Sequence, residues 1–584
     1  MFHAPVRRFF STFGRRGVDK LCGGLTFIGL ACGYVAALSG CNSAPPTDPR
    51  RVFRYNQSEQ SGALTSLDPA FARNQANIWA QTQLYNGLVE LDSTLRPAPA
   101  LARIWTVSPD ARTYTFRLRP GVRFHDDACF GPGGHGRPVR AADVVYSFRR
   151  LLDPATASTG GWIFRGKVLS NSAGAPLDSA FQAPDDSTVV VRLREPFAAF
   201  LSLLSMPYCF VTAPEAVRAY GRDFGQHPVG TGPFRFHLWA EGSALILHRN
   251  PTYWRRDARG RPLPYLDAVQ VSFIGDKKTE FLTFLQGKLD FLSGIRESSR
   301  DLILRPDGTV RPDFAGRFRV EKVPYLNTEY LGFQLDSGNL RAPAPAVRDR
   351  RVRQALSYAI DRSAYVRFLL SSVGRPGVSG MVPPALASFD ERAVPGYRHD
   401  PARARALLRD AGYGPGRPLR LTLNTVAEKR EQVEFLQQQW AAVGVEVTLD
   451  INQGPAHQEL VDNGKAAFWT KSWLGDYPDA ENYLALFYSP NFSPAGPNKT
   501  HFRSAAYDSL YRAALREPDE VRRQTLYQRL DRLMLAEAPV IVLYYDEVVR
   551  LTQPAVRGLR ADPMNQLRLE RVSKDGDGEG MEGD

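Results

Sequence analysis

Residues 419–449 limit the possible folds more than any other stretch. Leu419-Arg420-Leu421-Thr422-Leu423 alternates like a strand, residues 428–443 read as a helix stopped by Gly444, and Val445-Glu446-Val447-Thr448-Leu449 alternates again. Two strands separated by a helix of that length cannot form a hairpin. The connection has to cross over, so the strands are parallel and the crossover right-handed. This half of the chain is therefore α/β. Val352, Ala355, Leu356, Ala359 and Ile360 line one face of a helix expected over residues 351–370. Asp400-Pro401 supplies an N-cap with proline at N1, and Gly412 stands at C′. Residues 521–537 predict an amphipathic helix and 539–545 a strand, after which the chain returns to the lobe where it began.

The amino-terminal half mixes short strands and helices. Arg51-Val52-Phe53-Arg54-Tyr55 reads as a strand closed by Ser66-Leu67-Asp68-Pro69, and residues 76–86 read as a helix. Residues 113–119 have period two, and Pro120-Gly121 predicts a hairpin into Val122-Arg123-Phe124. A helix is expected over 141–152, strands over 187–193, 269–274 and 289–291, and a further helix over 279–286. The Gly/Pro cluster from Pro228 to Phe234 marks the point where the chain changes lobe.

The first 41 residues stand apart from this. Arg7, Arg8, Arg15, Arg16 and Lys20 form a basic segment, residues 21–38 an apolar run, and Leu38-Ser39-Gly40-Cys41 follows. The order resembles a bacterial lipobox: residues 1–40 would be cleaved as a signal peptide and Cys41 would carry a diacylglycerol. The other reading is an uncleaved anchor with a chance cysteine. Loss of residues 1–40 removes five basic side chains and Asp19, leaving +9 of the formal +13. That charge is dispersed and no nucleic-acid module accompanies it, so nucleic acid is not expected as a partner. With Cys22 and Cys32 cleaved away and Cys41 lipidated, Cys129 and Cys209 remain. An exported chain with two remaining cysteines predicts a Cys129–Cys209 disulfide; the alternative is two buried free thiols.

Residues 468–489 are the candidate site. Trp469, Trp473, Tyr477 and Tyr483 surround Asp476 and Asp479, and Pro478 prevents continuation as helix or central strand. A carboxylate among aromatic walls is poorly solvated until a cation arrives, so the segment fits a ligand ammonium. The same residues also fit an aromatic core edge with two helix-capping aspartates. The segment follows a βαβ unit at the end of a strand, where open α/β sheets place their ligand crevice. No enzyme motif is present: no Gly-x-Ser-x-Gly, no His-Glu-x-x-His and no Cys-x-x-Cys. The nine histidines lack ligand spacing, and His125-Asp126-Asp127 reads as loop or surface. Neither a metal nor a cofactor is called for.

A series of short motifs completes the picture: Ser66-Leu67-Asp68-Pro69, Tyr85-Asn86-Gly87-Leu88, residues 114–124, residues 138–147, Gly230-Thr231-Gly232-Pro233-Phe234, Arg249-Asn250-Pro251-Thr252-Tyr253-Trp254, residues 349–356 and Trp473-Leu474-Gly475-Asp476-Tyr477-Pro478. In this order and spacing the chain resembles the family 5 solute-binding proteins of ABC importers, the dipeptide- and oligopeptide-binding lipoproteins, over nearly all of residues 51–570. The resemblance implies an α/β, type II (class C) periplasmic-binding-protein fold, two lobes closing on a ligand plus an extra domain. It divides the chain into a linker (41–50), lobe I (51–86, 225–325 and 548–572), the extra domain (87–224), lobe II (326–547) and a disordered acidic tail (573–584).

The resemblance further implies a monomeric extracytoplasmic binder, not an enzyme, held to a membrane of the periplasm or cell envelope by its lipid. Such a protein captures peptides and delivers them to the transmembrane subunits of an ABC permease. A ligand of another kind (metal chelate, haem or sugar) or a sensor role is the alternative. Asp476 matches the position that pairs with a peptide α-ammonium. Main chain near Ser472 and Leu474, and the loop Arg73, Asn74 and Gln75, would bond the peptide backbone, with Trp473 and Tyr477 as aromatic walls. Gly160 stands where some relatives have Tyr, with Trp162 as a substitute, and Pro455 where others have Trp. Lys429, just beyond the strand ending at Asn424, is a candidate for a ligand carboxylate.

Overall fold

Two long strands, Arg319–Phe333 and Val540–Thr552, pair antiparallel from Arg319 opposite Thr552 to Gly332 opposite Val540. They occupy the middle of the largest sheet in this computed structural model, which describes residue 48 and residues 51–57, 63–295, 297–339 and 344–574. Among the described residues that sheet has eleven strands. On one side of the central pair the order is Phe468–Leu474, Leu419–Val426 and Val445–Asn452. On the other it is Phe291–Ser293, Val52–Asn56, Ala268–Ser272, Ala244–Arg249 and Phe234–Ala240. Arg375–Pro376 adds to Val540–Thr552 off this path. The register of the central pair slips between Pro324 and Thr328, where proline offers no N–H to the ladder.

The expected crossover is present. Leu419–Val426 runs parallel to Val445–Asn452 in unbroken register, with helix Arg430–Ala441 between them. The helix starts later than periodicity indicates because Ala427–Lys429 forms a 3-10 turn. The stripe over residues 351–370 is two helices, Arg350–Tyr358 and Arg362–Leu369. Asp361 caps the second by accepting from Ala364 N, and the Arg362 guanidinium closes the first by donating to the Ser357 and Ile360 carbonyls. Both helices face the same core, so the apolar period runs through the break. The hairpin expected after Pro120-Gly121 does not form. Both edges of Thr113–Leu118 are already taken, by Ala102–Val107 and Thr188–Arg192, and Arg123 bridges to Pro138 instead.

Those strands and Phe181–Asp185 make a separate four-stranded sheet that falls within residues 87–224, with helix Ala141–Leu152 beside it. Its core holds Phe116, Phe148, Phe164, Phe181 and Cys209. Here the disulfide expectation is corrected: Cys129 and Cys209 are both free. Cys209 is buried with Sγ turned to the Leu203 carbonyl at 3.7 Å, while Cys129 sits in the turn Ala128–Phe130, fastened by Asp127 to its backbone N–H. Burial pushes the Cys129 thiol up to about 12, reinforced by Asp127, and burial raises the Cys209 thiol as well.

Several family-like motifs act as joints. Asp68 accepts from Ala70 N and forms a paired-oxygen ion pair with Arg150 of the Ala141–Leu152 helix, at 2.7 and 2.5 Å. His125 is not at the surface. It is buried, its Nε2 bonds the Gly232 carbonyl at 3.0 Å, and burial lowers its pKa to about 4. The glycines of Gly230-Thr231-Gly232 lie so close to the end of helix Gln75–Leu84 that a Cβ at either would meet Leu84 backbone at 2.1 or 2.4 Å. At the carboxyl end, Ser573–Lys574 pairs with Val556–Arg557, and Lys574 Nζ lies 2.9 Å from Asp290. Order therefore continues past the expected tail boundary at 573, because Lys574 neutralises a buried carboxylate. Residues 1–41 and 575–584 lie outside the described residues, and so do the expectations for cleavage, lipidation at Cys41 and the acidic tail. Among the described residues no helix is long and apolar enough to cross a membrane.

Candidate ligand-binding site

The strand Phe468–Leu474 opens the candidate segment and lies between Leu419–Val426 and Arg319–Phe333 in the sheet order. It pairs antiparallel with Arg319–Phe333, Ser472 opposite Glu329 and Leu474 opposite Asn327. Its backbone pairing with Leu419–Val426 is limited to Trp469 opposite Asn424, beside which Thr470 Oγ1 bonds Thr425 Oγ1 at 3.1 Å. Gly475 N donates to Leu326 O at 2.7 Å, which fixes the alternation of the ladder: Lys471 and Trp473 turn their backbone groups to Arg319–Phe333, and Ser472 and Leu474 turn theirs away. The Thr470 carbonyl, of the same parity as Ser472, is taken from that far side by His457 Nε2 at 2.8 Å. Past Thr470, then, the main chain of Ser472 and Leu474 faces an edge with no strand beside it among the described residues.

Beyond Leu474 the chain turns into the short helix Glu481–Leu484. Asn482, on that helix, organises the turn. Its Oδ1 accepts from Trp473 Nε1 at 2.9 Å and from Asp476 N at 3.1 Å, and its Nδ2 donates to Asp476 Oδ2 at 3.3 Å. Tyr483 locks the same turn by donating to Leu326 O at 2.6 Å. Asn482 is buried and has no counterpart among the expected site residues. The readable signal is a buried-type amide inside an otherwise aromatic and aliphatic run.

Asp476 and Asp479 have different roles. Asp479 Oδ1 accepts from Glu481 N at 2.9 Å, which closes the turn ahead of helix Glu481–Leu484, whose N-cap position is Ala480. Asp476 caps nothing. By surface area it is exposed, yet burial pushes its carboxyl up, with the Asn482 bond pulling it back. Protein atoms around the carboxyl disfavour its charge while part of its surface stays open to solvent. Among the described residues no lysine, arginine or histidine forms an ion pair with Asp476.

Aromatic side chains close around it. Tyr477 is buried with its hydroxyl donated to Glu481, which also accepts from Tyr511. The Tyr477 ring stacks on Trp162, centroids 6.4 Å apart at 27°. Tyr208, unanticipated from sequence, fills the space beside Gly160: a Cβ there would meet its ring at 2.3 Å. Its hydroxyl bonds Thr159 at 3.2 Å. Burial pushes the Tyr208 phenol up, Thr159 and the Arg73 charge pull it down, and the Asp476 charge pushes it up again. Arg73 and Asp476 thus act on one ring from opposite parts of the chain.

The remaining expected residues divide. Asn74 is committed to structure, capping helix Gln75–Leu84 through Asn77 N at 2.9 Å, and Gln75 begins that helix. Pro455 lies in the first turn of helix Gly454–Asp462. Lys429 Nζ is ion-paired with Glu329.

The family model "Bacterial extracellular solute-binding proteins, family 5 Middle" matches residues 96–494. The chain belongs to that family. Among its relatives, the dipeptide-binding protein DppE of Bacillus subtilis is 27% identical over 587 residues, covering 95% of this chain and 99% of DppE. The glutathione-binding protein GsiB of Salmonella typhimurium is 28% identical over 494 residues, covering 83% and 88%. The solved structure of HbpA2 from Haemophilus parasuis superposes with a TM-score of 0.75 at 24% identity, covering 90% of this chain and 99% of that one. The family 5 chain therefore has the type II periplasmic-binding-protein fold. It is a periplasmic or extracellular solute-binding protein of the ABC type, not an enzyme.

Proposed function

We propose that this family 5 protein captures peptides by their free amino end and hands them to an ABC permease, tethered to a membrane through a lipid on Cys41. The observation that carries the reading is Asp476: a carboxylate that solvent reaches, that burial destabilises, and that lacks a countercharge among the described residues. A peptide α-ammonium supplies the charge and three donors together. The open main chain of Ser472 and Leu474 lies two to four residues before it, suited to a ligand backbone added as a strand. Trp473, Trp162, Tyr477 and Tyr208 form walls that offer area without side-chain specificity, and the Arg73 charge acts on Tyr208. The relatives that bind dipeptides and glutathione support a ligand of this class. Closure of the two lobes would take Asp476 out of water with its partner in place.

The test is thermal unfolding against a panel of di-, tri- and tetrapeptides and free amino acids. Peptides with free amino ends should raise Tm with concentration, as any ligand specific to the folded state must. A Tm indifferent to every peptide at millimolar concentration would overturn the proposal.

A further inference from the structure

One polar cluster apart from Asp476 lies on the face of the sheet that carries the side chains of Ser472 and Leu474. Register and alternation put Asn327 and Glu329, Ser472 and Leu474, and Tyr544 and Asp546 on that face: Glu329 stands opposite both Ser472 and Tyr544, and Asn327 opposite Leu474. Asn327 Nδ2 donates to Asp546 Oδ2 at 3.2 Å and to Glu329 Oε1 at 3.4 Å. Lys429 neutralises Glu329. Asp546 has no ion-pair partner among the described residues; its Oδ1 accepts from its neighbour Glu547 N at 2.9 Å.

Two features point outward from this cluster. Asn327 is only 8% exposed, and its Oδ1 is buried without a hydrogen-bond partner. Two carboxylates against one ammonium leave the cluster one negative charge in excess. The unmet needs are thus an acceptor without a donor and a carboxylate without a cation, both costly to bury. Water can donate but brings no charge. Burial holds the Asp546 carboxyl up to about 6, with Glu329 adding to the rise and Asn327 and Lys429 opposing it. Asp546 keeps partial solvent exposure, through which a ligand would have to reach it.

Lys429 shows how such a ligand would arrive. It is rooted just past the strand Leu419–Val426, on the far side of Phe468–Leu474, and its side chain still spans the face to Glu329. A long basic side chain rooted on a ligand along the open edge of Ser472 and Leu474 follows the same course to Asn327, with Asp546 beyond.

We propose that Asp546 and the Asn327 carbonyl form a second cation subsite of the cleft, which selects peptides carrying an arginine or lysine side chain. The inference rests on the peptide reading above and narrows its substrate class. A guanidinium fits best, since its fork of donors serves a carboxylate and a neighbouring carbonyl together.

Calorimetry on matched peptides tests it: arginine against citrulline, lysine against norleucine, each placed second in an otherwise identical dipeptide. Wild type should prefer the charged member by about ten- to a hundredfold, the worth of a charge-assisted hydrogen bond. Asp546→Asn should bring that ratio to within about twofold. Equal affinity for arginine and citrulline peptides in wild type overturns the subsite and leaves peptide binding standing. This arm needs no variant, so a folding defect in Asp546→Asn does not mask it. Should no peptide bind, agmatine, a guanidinium without a peptide bond, separates the two claims. Saturable agmatine binding that Asp546→Asn abolishes upholds the subsite without the peptide reading, and its absence rejects both.

Discussion

Asp476→Asn removes one charge from the site and leaves its shape nearly unchanged. Among the described residues the carboxylate accepts one side-chain hydrogen bond, from Asn482 Nδ2 at 3.3 Å, and its outer surface is exposed. The fold should therefore change by less than about 0.5 kcal/mol. In the proposed complex the carboxylate would face the ligand ammonium inside a closed cleft. Breaking a fully buried pair costs about 3–5 kcal/mol. Asp476 keeps part of its solvent contact before closure, so the lower end applies: about 3 kcal/mol, or about two decades in Kd. Acetylating the peptide amine removes the same interaction from the other side. Calorimetry on wild type and variant with free and acetylated peptide forms a double-mutant cycle. Acetylation should weaken wild-type binding by about two decades and variant binding by far less. Equal penalties in both proteins would refute the pairing and return Asp476 to a role in shaping the turn.

Three further outcomes follow. Burial raises the Asp531 carboxyl to about 7, where it accepts from Met381 N and Val382 N. Between about pH 4 and pH 7 the folded state holds a proton that the unfolded state has lost, so stability falls as pH rises, by at most about 1.4 kcal/mol per unit. Urea unfolding should then show Asp531→Asn gaining on wild type at pH 8 relative to pH 5; a constant offset contradicts this. Cys129 and Cys209 should both react with an alkylating agent after unfolding without reductant, as mass spectrometry of the labelled chain will show, and a reductant-dependent pair would restore the disulfide. Cys41→Ala should leave the membrane fraction or remain unprocessed, because stable anchoring needs the acyl chains that the thiol carries; a processed, membrane-bound variant rejects the lipid anchor.

Alternation and helix length reveal the parallel pair Leu419–Val426 and Val445–Asn452, since both are local properties of a short stretch. The break at residues 359–361 is invisible to the same reasoning, because two helices on one core continue one apolar stripe and the interruption depends on the Asp361 and Arg362 side chains. The hairpin at 113–124 fails for a similar reason: turn residues cannot report that both strand edges are already occupied from elsewhere. At the site, Asp476 and Trp473 are legible as a motif, and Asp479 remains ambiguous until its bond to Glu481 is seen. Asn482 and Tyr208 lie outside any motif themselves, and Tyr208 acts on residues distant in sequence. Lys429 is the opposite case: a cation well placed along the chain, whose partner Glu329 lies on another strand.

The central claim is that the cleft holds peptides by their free amino ends. Native mass spectrometry of protein purified without denaturation, followed by extraction and sequencing of whatever it carries, tests this with no assumption about the ligand. Unblocked peptides, enriched in arginine or lysine, are the predicted cargo. A sugar, a haem, a metal chelate or uniformly amino-blocked peptides in the cleft would contradict it.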